Sequence, residues 1–271
     1  MLKNIIIGKR SNLSSQLKKT LGQVEIFSVS EFIEFFDNEH DEGLNLILNN
    51  FHPSHLLRDI ENYSLFISNS ILSTASILDC IKESKRINKI IYTSSSAVYG
   101  HSESTMEENN FSPKSLYSSL KIANEELIID FCSLNNIPYV ITRVFNMYGG
   151  NDKFSVVSKI LSSIKDKTPI TISNNGDSVR DFIHISDVVK IYHLIINKNV
   201  VGKINIGTGI GTSIKDLIDL IHEEEFEIEI ISMKTNEIKT SIADMNKLDN
   251  ILGPNFEYTD VREYIKNKLK S

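Results

Sequence analysis

Short apolar runs alternate with amphipathic stretches through the first half of this chain, and that rhythm constrains the fold more than any other feature. The runs Asn4–Ile7, Val24–Phe27, Leu44–Leu48, Leu65–Ile67, Lys89–Thr93 and Tyr139–Thr142 read as strands. Several are apolar throughout rather than alternating, the pattern of parallel strands covered by helices on both faces. Helical periodicity lies between them at Ser14–Leu21, Glu31–Phe36, Ile71–Ser84 and Tyr117–Asn135. Repeated strand–helix–strand order predicts an α/β fold built on a doubly wound parallel sheet.

After Gly149 the rhythm changes. Val156–Ile164 and Ile185–Ile196 read as helices and Pro169–Ile172 as a short strand. The turn Gly207-Thr208-Gly209-Ile210-Gly211 precedes an amphipathic helix at Ser213–His222. Phe226–Ile231 alternates with glutamates like an edge strand, and a last helix starts at about Asp260. The expected division is therefore residues 1–148 followed by a smaller region, 149–271, interleaved with the first in space.

Composition narrows the function classes. With 41% hydrophobic and 24% charged residues among 271, the chain buries enough apolar surface to offset its ordering entropy. Net charge is −6, which removes the global electrostatic case for nucleic acid and leaves any anionic ligand to local basic groups. Cys80 and Cys132 supply neither a disulfide framework nor a metal cluster, and no metal site is expected. No run approaches the roughly 18–20 uninterrupted apolar residues that span a bilayer. The opening run Leu2–Ile7 is too short for a signal-peptide core, so the expected location is the cytoplasm, without a membrane partner.

The strongest local motif is Tyr117-Ser-Ser-Leu-Lys121 at the start of a helix. A spacing of four puts both side chains on one face, where an ammonium lowers a phenol that ordinarily titrates near 10 and makes it a usable acid or base. Some twenty residues earlier a strand runs into Ser94-Ser95-Ser96-Ala97-Val98-Tyr99-Gly100. The carboxyl end of a parallel strand is where such folds bind ligands. Ser95 there can bond the oxygen whose proton Tyr117 exchanges.

Ser-Ser-Ser-Ala-Val-Tyr-Gly followed by Tyr-x-x-x-Lys resembles the extended short-chain dehydrogenase/reductases that act on nucleotide sugars, the NAD(P)-dependent epimerase/dehydratase family. The likeness continues through Arg143-Val-Phe-Asn146-Met-Tyr148-Gly149, Asn174-Asn-Gly176-Asp-Ser-Val-Arg180-Asp181-Phe-Ile-His184-Ile-Ser-Asp187, Asn205-Ile-Gly207-Thr-Gly209 and Ala243-Asp244-Met-Asn-Lys-Leu248. It implies a Rossmann-type dinucleotide domain at 1–148 and a sugar-nucleotide region at 149–271. It further implies Ser95, Tyr117 and Lys121 as the catalytic set, with Ser95, Asn146 and Arg180 on the substrate and Arg180 holding its diphosphate. Cofactor contacts are implied for Gly8, Lys9, Arg10, Ser11, Asn12, Leu13, Asn49, Asn69, Tyr117 and Lys121. A homodimer through the Tyr117 and Ile71 helices is also implied. For Arg180 an ion pair with Asp181 or Asp187 is an equal alternative. His184 and Asp187 read as structural, and the Gly207–Gly211 turn as either a second dinucleotide loop or, preferably, a turn beside the sugar pocket.

The chain departs from the family's Gly-x-x-Gly-x-x-Gly, reading Gly8-Lys9-Arg10-Ser11-Asn12-Leu13-Ser14. Ser14 is small enough for close helix–strand packing. Ser11, if held at positive φ, would carry about 1–2 kcal/mol of strain. That weakens the pyrophosphate site without abolishing it, because the helix N-terminus still offers amides and a favourable dipole. Both serines are expected to add hydroxyl donors. Lys9 and Arg10 suit the 2′-phosphate of NADP(H), unless they are simply solvated loop charges. The second strand ends in Phe27-Ser28 without the carboxylate that grips an NAD(H) ribose. NADP(H) is therefore favoured over NAD(H). The segment Asp37–Gly43 reads as a replacement for a further strand–helix step, so the dinucleotide domain is expected to be trimmed.

Ser96 and Ala97 stand where 4,6-dehydratases of the family carry an Asp-Glu pair, and Ala97 stands where epimerase-reductases carry a cysteine. Reduction of a 4-keto group and 4-epimerisation need only Ser95, Tyr117 and Lys121. The stretch Gly149-Gly150-Asn151-Asp152-Lys153-Phe154 resembles reductases that finish deoxysugar nucleotides. The expectation is an NADPH-dependent reductase of an NDP-4-keto-6-deoxyhexose serving surface-polysaccharide precursor synthesis. The alternatives are an NDP-sugar 4-epimerase with tightly bound NAD and a non-catalytic dinucleotide-binding relative.

Overall fold

The computed structural model describes residues 2–22, 24–36, 43–49, 62–101, 105–108 and 111–270. The opening apolar run forms β1 (Leu2–Ile7), followed by α1 (Asn12–Leu21), β2 (Val24–Phe27), α2 (Val29–Phe36) and β3 (Gly43–Leu48). A long helix then runs from α3 (Tyr63–Ile67) through a π turn (Ser68–Leu72) into α4 (Ser73–Ile81). Next come β4 (Ile87–Ser95), α5 (Leu116–Asn135), β5 (Tyr139–Val144), β6 (Asn146–Tyr148), α6 (Val156–Asp166), β7 (Ile170–Ser173), β8 (Val179–His184) and α7 (Ile185–Asn197). The chain ends with β9 (Gly202–Ile206), β10 (Gly211–Ser213), α8 (Ile214–Glu223), β11 (Ile230–Met233), β12 (Thr240–Ser241), α9 (Asn246–Leu252) and α10 (Val261–Leu269).

Six strands form one sheet in the order β2-β1-β3-β4-β5-β9, parallel throughout. The winding reverses between β1 and β3, the position where doubly wound sheets bind ligands at their carboxyl ends. Alternate residues of each strand face opposite helical layers. Ile6, Ile47, Ile91 and Val140 pack with Leu13 and Leu17 of α1 and with Val188, Ile191 and Ile195 of α7. Ile5, Ile7, Leu46, Leu48, Ile90 and Ile141 pack on the other face with Phe32 of α2, Ile77 and Ile81 of α4, and Ile128 of α5. A third core joins Tyr148, Ile160, Ile170, Phe182, Leu217 and Ile265, so the C-terminal region has a centre of its own.

Two sequence expectations change. Leu65–Ile67 is helix rather than strand: the Asn62 side chain accepts from the Leu65 amide (2.9 Å) and starts a turn that buries Phe66. A three-residue apolar run carries no period with which to tell the two apart. Phe226–Ile231 is strand only from Ile230, where β11 pairs with β7. Phe226 and Ile228 instead pack partly buried against the third core. The proposed substitute for a strand–helix step falls, at residues 37–42, outside the described residues; β3 pairs directly with β1 from Leu2↔Gly43 onward.

Among the described residues, Tyr63–Ile81 has the length and mean hydropathy (1.4) of a membrane-spanning helix. It nevertheless buries Phe66, Thr74, Ile77, Leu78 and Ile81 inside the fold. Replacing the fully buried Ile91 by Ala is expected to lower unfolding free energy by about 2–5 kcal/mol in chemical denaturation. Val201→Ala, at a side chain 59% exposed, is expected to stay within about 0.5 kcal/mol.

Candidate active site

Helix α5 starts where it does because Ser115 and Ser118 cap each other: the Ser118 amide donates to Ser115 Oγ (3.1 Å) and the Ser115 amide to Ser118 Oγ (3.1 Å). Tyr117 is thereby fixed in the first turn, with Lys121 and Glu125 on the next two turns of the same face. Facing them, β4 ends at Ser95 and tightens into a 3-10 turn, Ser96–Tyr99, with Ser95 Oγ accepting from the Ala97 amide (3.2 Å). The last three residues of β4 each engage one of the three helical residues. Lys121 Nζ donates to the Thr93 carbonyl (2.9 Å), the Ser94 hydroxyl donates to Glu125, and Ser95 hydrogen-bonds Tyr117.

Burial controls the electrostatics here. The Lys121 ammonium, 3% exposed, is pushed down to about 7 by desolvation, against the opposing pull of the Glu125 carboxylate. The Tyr117 phenol is pushed up by burial, opposed by its bond with Ser95. The expected lowering of Tyr117 is thus reversed in this fold. Lys121 lies 5.9 Å from the Tyr117 ring and 4.8 Å from the Tyr92 ring, and its ammonium is committed to a backbone carbonyl.

The loop after β1 fits a dinucleotide better than its missing glycines suggest. Gly8 sits at φ +136°, where a Cβ would lie 2.1 Å from the Asn49 carbonyl oxygen, so no other residue fits there. Ser11 sits at φ −73°, ψ 136°, an extended conformation without strain, and caps α1 by accepting from the Ser14 amide. The anticipated cost at Ser11 therefore does not arise. A side-chain-free approach at Gly8 and the first-turn amides of α1 together suit a pyrophosphate.

Several predicted cofactor contacts are spent on the fold itself. Ser14 is fully buried and accepts from Asn49 Nδ2 (3.1 Å), so it clasps helix to strand instead of presenting a hydroxyl to a ligand. The Asn49 side chain, 1% exposed, also accepts from Thr93, whose hydroxyl meets Tyr192 in turn. The Leu13 side chain lies in the core, leaving only its backbone to the loop. Asn12 bridges to the second region, donating to the Gly149 carbonyl (3.0 Å) and accepting from the Asn151 amide (3.1 Å). Asn69 is exposed on the π turn and Arg10 is exposed on the loop.

A carboxylate does stand beside the end of β2, on the first turn of α2. Glu31 accepts from the Ser28 amide (2.8 Å), while its own amide donates to Ser28 Oγ (3.3 Å), and Lys9 Nζ lies 2.5 Å from its other oxygen. The Lys9 and Ser28 bonds hold the Glu31 carboxyl down at about 2. Ser28-x-x-Glu31 is a capping box, and that signature was the available signal for it. An open cleft of about 400 Å³ adjoins this pair, lined by Lys9, Ile26, Phe27, Glu31, Glu34 and Phe35.

In the second region Arg180 pairs with neither Asp181 nor Asp187. Its guanidinium donates to the carbonyls of Val179 (2.8 Å) and Lys239 (3.4 Å) and lies 3.4 Å from Glu237. Asp181 is fully buried and gathers the amides of Thr208 (2.9 Å), Gly209 (2.9 Å) and Ala243 (3.1 Å). This anchors the Gly207–Gly211 turn to β8, as a turn rather than a second dinucleotide loop. Asn146, half-buried, donates to the Asp181 carbonyl (3.0 Å). Asp187 accepts from Lys190 (2.9 Å) and the Thr259 amide (2.7 Å), and His184 caps α7, so both are structural.

A parallel sheet with a glycine turn after β1 and a Ser95/Tyr117/Lys121 set at the end of β4 defines an NAD(P)-dependent enzyme of the extended short-chain dehydrogenase/reductase type. The model of the NAD dependent epimerase/dehydratase family matches residues 5–207, and the chain belongs to that family. It is 30% identical over 247 residues to a Methanocaldococcus jannaschii protein named "Putative UDP-glucose 4-epimerase", covering 88% of this chain and 78% of that one. It is 29% identical over 191 residues to the GDP-6-deoxy-D-talose 4-dehydrogenase of Aggregatibacter actinomycetemcomitans. That match covers 67% of this chain and 64% of the relative, less than two thirds of its length. The fold superposes on MoeE5 in complex with UDP-glucuronic acid and NAD with a TM-score of 0.86 at 19% identity, covering 99% and 98% of the two chains. For the UDP-glucose 4-epimerase of Thermotoga maritima with UDP-glucose the TM-score is 0.84 at 18% identity, covering 100% and 98%.

The depressed Lys121 has a measurable consequence. Between pH 7 and about 10 its unfolded counterpart is protonated while the folded side chain is not, so stability rises with pH across that window. Relative to Lys121→Met, the unaltered protein is expected to gain of order a few kcal/mol from pH 7 to 10 in denaturant titrations.

Proposed function

We propose that this protein is a nucleotide-sugar 4-epimerase that retains NAD through its catalytic cycle. The observation that carries this reading is Glu31, held in the first turn of α2, beside the end of β2, by the Ser28 amide and Lys9. A carboxylate at that position accepts a ribose 2′-hydroxyl and opposes a 2′-phosphate. It also takes up Lys9, one of the two cations that favoured NADP(H), and the unstrained Ser11 removes the argument for loose cofactor holding. The 4-epimerase named among the relatives supports the same choice.

A bound nicotinamide supplies hydride acceptance and return at C4. The chain supplies the proton and the orientation. Tyr117 carries its proton at neutral pH in this fold, the form that protonates a 4-keto oxygen. In the opposite direction its ionised form accepts the C4 hydroxyl proton, and the Ser95 bond favours that form. Ser95 bonds Tyr117, which supports a role in holding the same sugar oxygen. Ala97 brings no acid or base, so the chemistry stays at one carbon. Residues 1–148 hold the dinucleotide and 149–271 the sugar nucleotide. There Arg180 offers guanidinium donors to the diphosphate in competition with Glu237, and Asn146 meets the sugar. Exposed Leu65, Leu72 and Leu134 support a homodimer through α5 and the α3–α4 helix.

The second reading is the NADPH-dependent 4-keto-6-deoxyhexose reductase. It is supported by exposed Arg10 and by the relative named as a 4-dehydrogenase of a 6-deoxy sugar nucleotide.

The purified protein is expected to carry near-stoichiometric NAD, measured after denaturation, and to interconvert UDP-hexose 4-epimers without net oxidation of cofactor. Protein isolated without cofactor that oxidises NADPH on addition of an NDP-4-keto-6-deoxyhexose would replace this reading with the second. Tyr117→Phe is expected to lower kcat at least about 100-fold while leaving NAD content unchanged.

A further inference from the structure

Of the contacts that the last three residues of β4 make with α5, the one made by Glu125 has no place in the hydride-transfer chemistry. Its carboxylate is fully buried, yet it accepts from the Ser94 hydroxyl, from Arg143 Nε (3.2 and 3.3 Å) and from Arg143 Nη2 (2.8 Å). Arg143, also fully buried, donates through Nη1 to the Tyr99 hydroxyl (3.0 Å) and the Glu107 carbonyl (3.1 Å). Burying such a pair costs several kcal/mol per ion before pairing, and apolar side chains of like volume fill the same space as well or better. A stabilising role alone is therefore a weak explanation for a charge placed here. Ser94 adjoins Ser95, and Glu125 follows Lys121 by one helical turn.

We propose that Glu125 is a positioning residue for the catalytic set, fixing the Ser94–Ser95 strand end and supplying the counter-charge to the Lys121 ammonium from the next turn of α5. The proposal rests on the reading of Ser95, Tyr117 and Lys121 as catalytic. The groups facing Lys121 include the Tyr92 ring and Thr93 carbonyl from β4, and Tyr117 and Glu125 from its own helix, with Arg143 of β5 paired behind Glu125 at 2.8 Å. Of these, the carboxylate is the one that favours the ammonium through charge. Burial already brings Lys121 to about 7, so loss of that carboxylate moves it lower and converts ammonium to neutral amine at working pH. The Ser94 arm acts separately, through geometry.

The test follows the Lys121 side chain directly, by carbon NMR of lysine labelled at Cε, with Lys121→Arg identifying its signal. In Glu125→Gln the titration midpoint is expected to fall by about one unit, equivalent to a tenfold change in the protonation equilibrium. The basic limb of the kcat profile is expected to move with it. Because Glu125→Gln strands the Arg143 charge, Glu125→Gln/Arg143→Met is measured in parallel, and a smaller downward shift is expected because the opposing Arg143 charge is removed with it. Ser94→Ala is expected to lower kcat about tenfold with KM for the sugar nucleotide and the Lys121 midpoint unchanged, about the worth of one hydrogen bond. An unmoved Lys121 midpoint in both glutamate variants overturns the counter-charge role. Unaltered kcat in Ser94→Ala overturns the strand-end role. A shifted midpoint in a protein that turns over no sugar nucleotide would instead refute the catalytic reading while leaving the charge coupling standing.

Discussion

A guanidinium in the middle of a parallel sheet is the demand that organises this site. Arg143 lies on β5, in register with Ser94 on β4 and Asn205 on β9. Because the side chain is fully buried, each donor needs a protein partner, and an unpaired buried charge would cost several kcal/mol. Glu125 answers from α5, and Tyr99 and the Glu107 carbonyl answer from the segment after β4. Asn205 closes the circuit, accepting from the Tyr99 hydroxyl (2.7 Å) and donating its amide to the Glu107 carboxylate (2.9 Å). The strand end bearing Ser95 and the helix bearing Tyr117 and Lys121 are thereby held by one satisfied network, whose members cannot move independently.

A second polar chain crosses the same sheet nearer the dinucleotide loop. Ser14 meets Asn49, Asn49 meets Thr93, and Tyr192 bonds both Thr93 and Thr142. Lys121 donates to the carbonyl of that same Thr93. The start of α1 and Lys121 are therefore linked through a single residue of β4. The serine in place of the third loop glycine belongs to this link: its hydroxyl makes a hydrogen bond where a glycine would leave only close packing. Asn12 adds a connection from the same helix start to Gly149 and Asn151.

Much of this was legible in the linear chain, for local reasons. Tyr117 and Lys121 are four residues apart, and helix geometry alone makes them neighbours. The apolar strands announced a parallel sheet because burial on both faces removes alternation. The failures share a cause as well. Leu65–Ile67 is too short to show a period, and the helix is imposed there by the Asn62 cap and by packing of Phe66. The strain assigned to Ser11 assumed a backbone conformation that its role as a helix cap avoids. The partner of Lys9, Glu31, lies 22 residues away across the end of β2, beyond the reach of a local pattern. Glu31 could have been recognised from Ser28-x-x-Glu31, although a capping box does not say which way its charge faces.

By itself, the order of residues determined the sheet class and the family and singled out Ser95, Tyr117 and Lys121 as candidates, because these rest on local patterns: unbroken apolar runs and motifs a few residues long. The tertiary structure decided which charges are used up and which remain for a ligand. It pairs Lys9 with Glu31, Arg180 with Glu237 and Arg143 with Glu125, and it withdraws Ser14 and Asn49 from the surface into the sheet. Ion pairing and desolvation depend on distances between residues remote in sequence. A linear pattern can therefore name the charged groups of a site, but only their burial and partners set what they do.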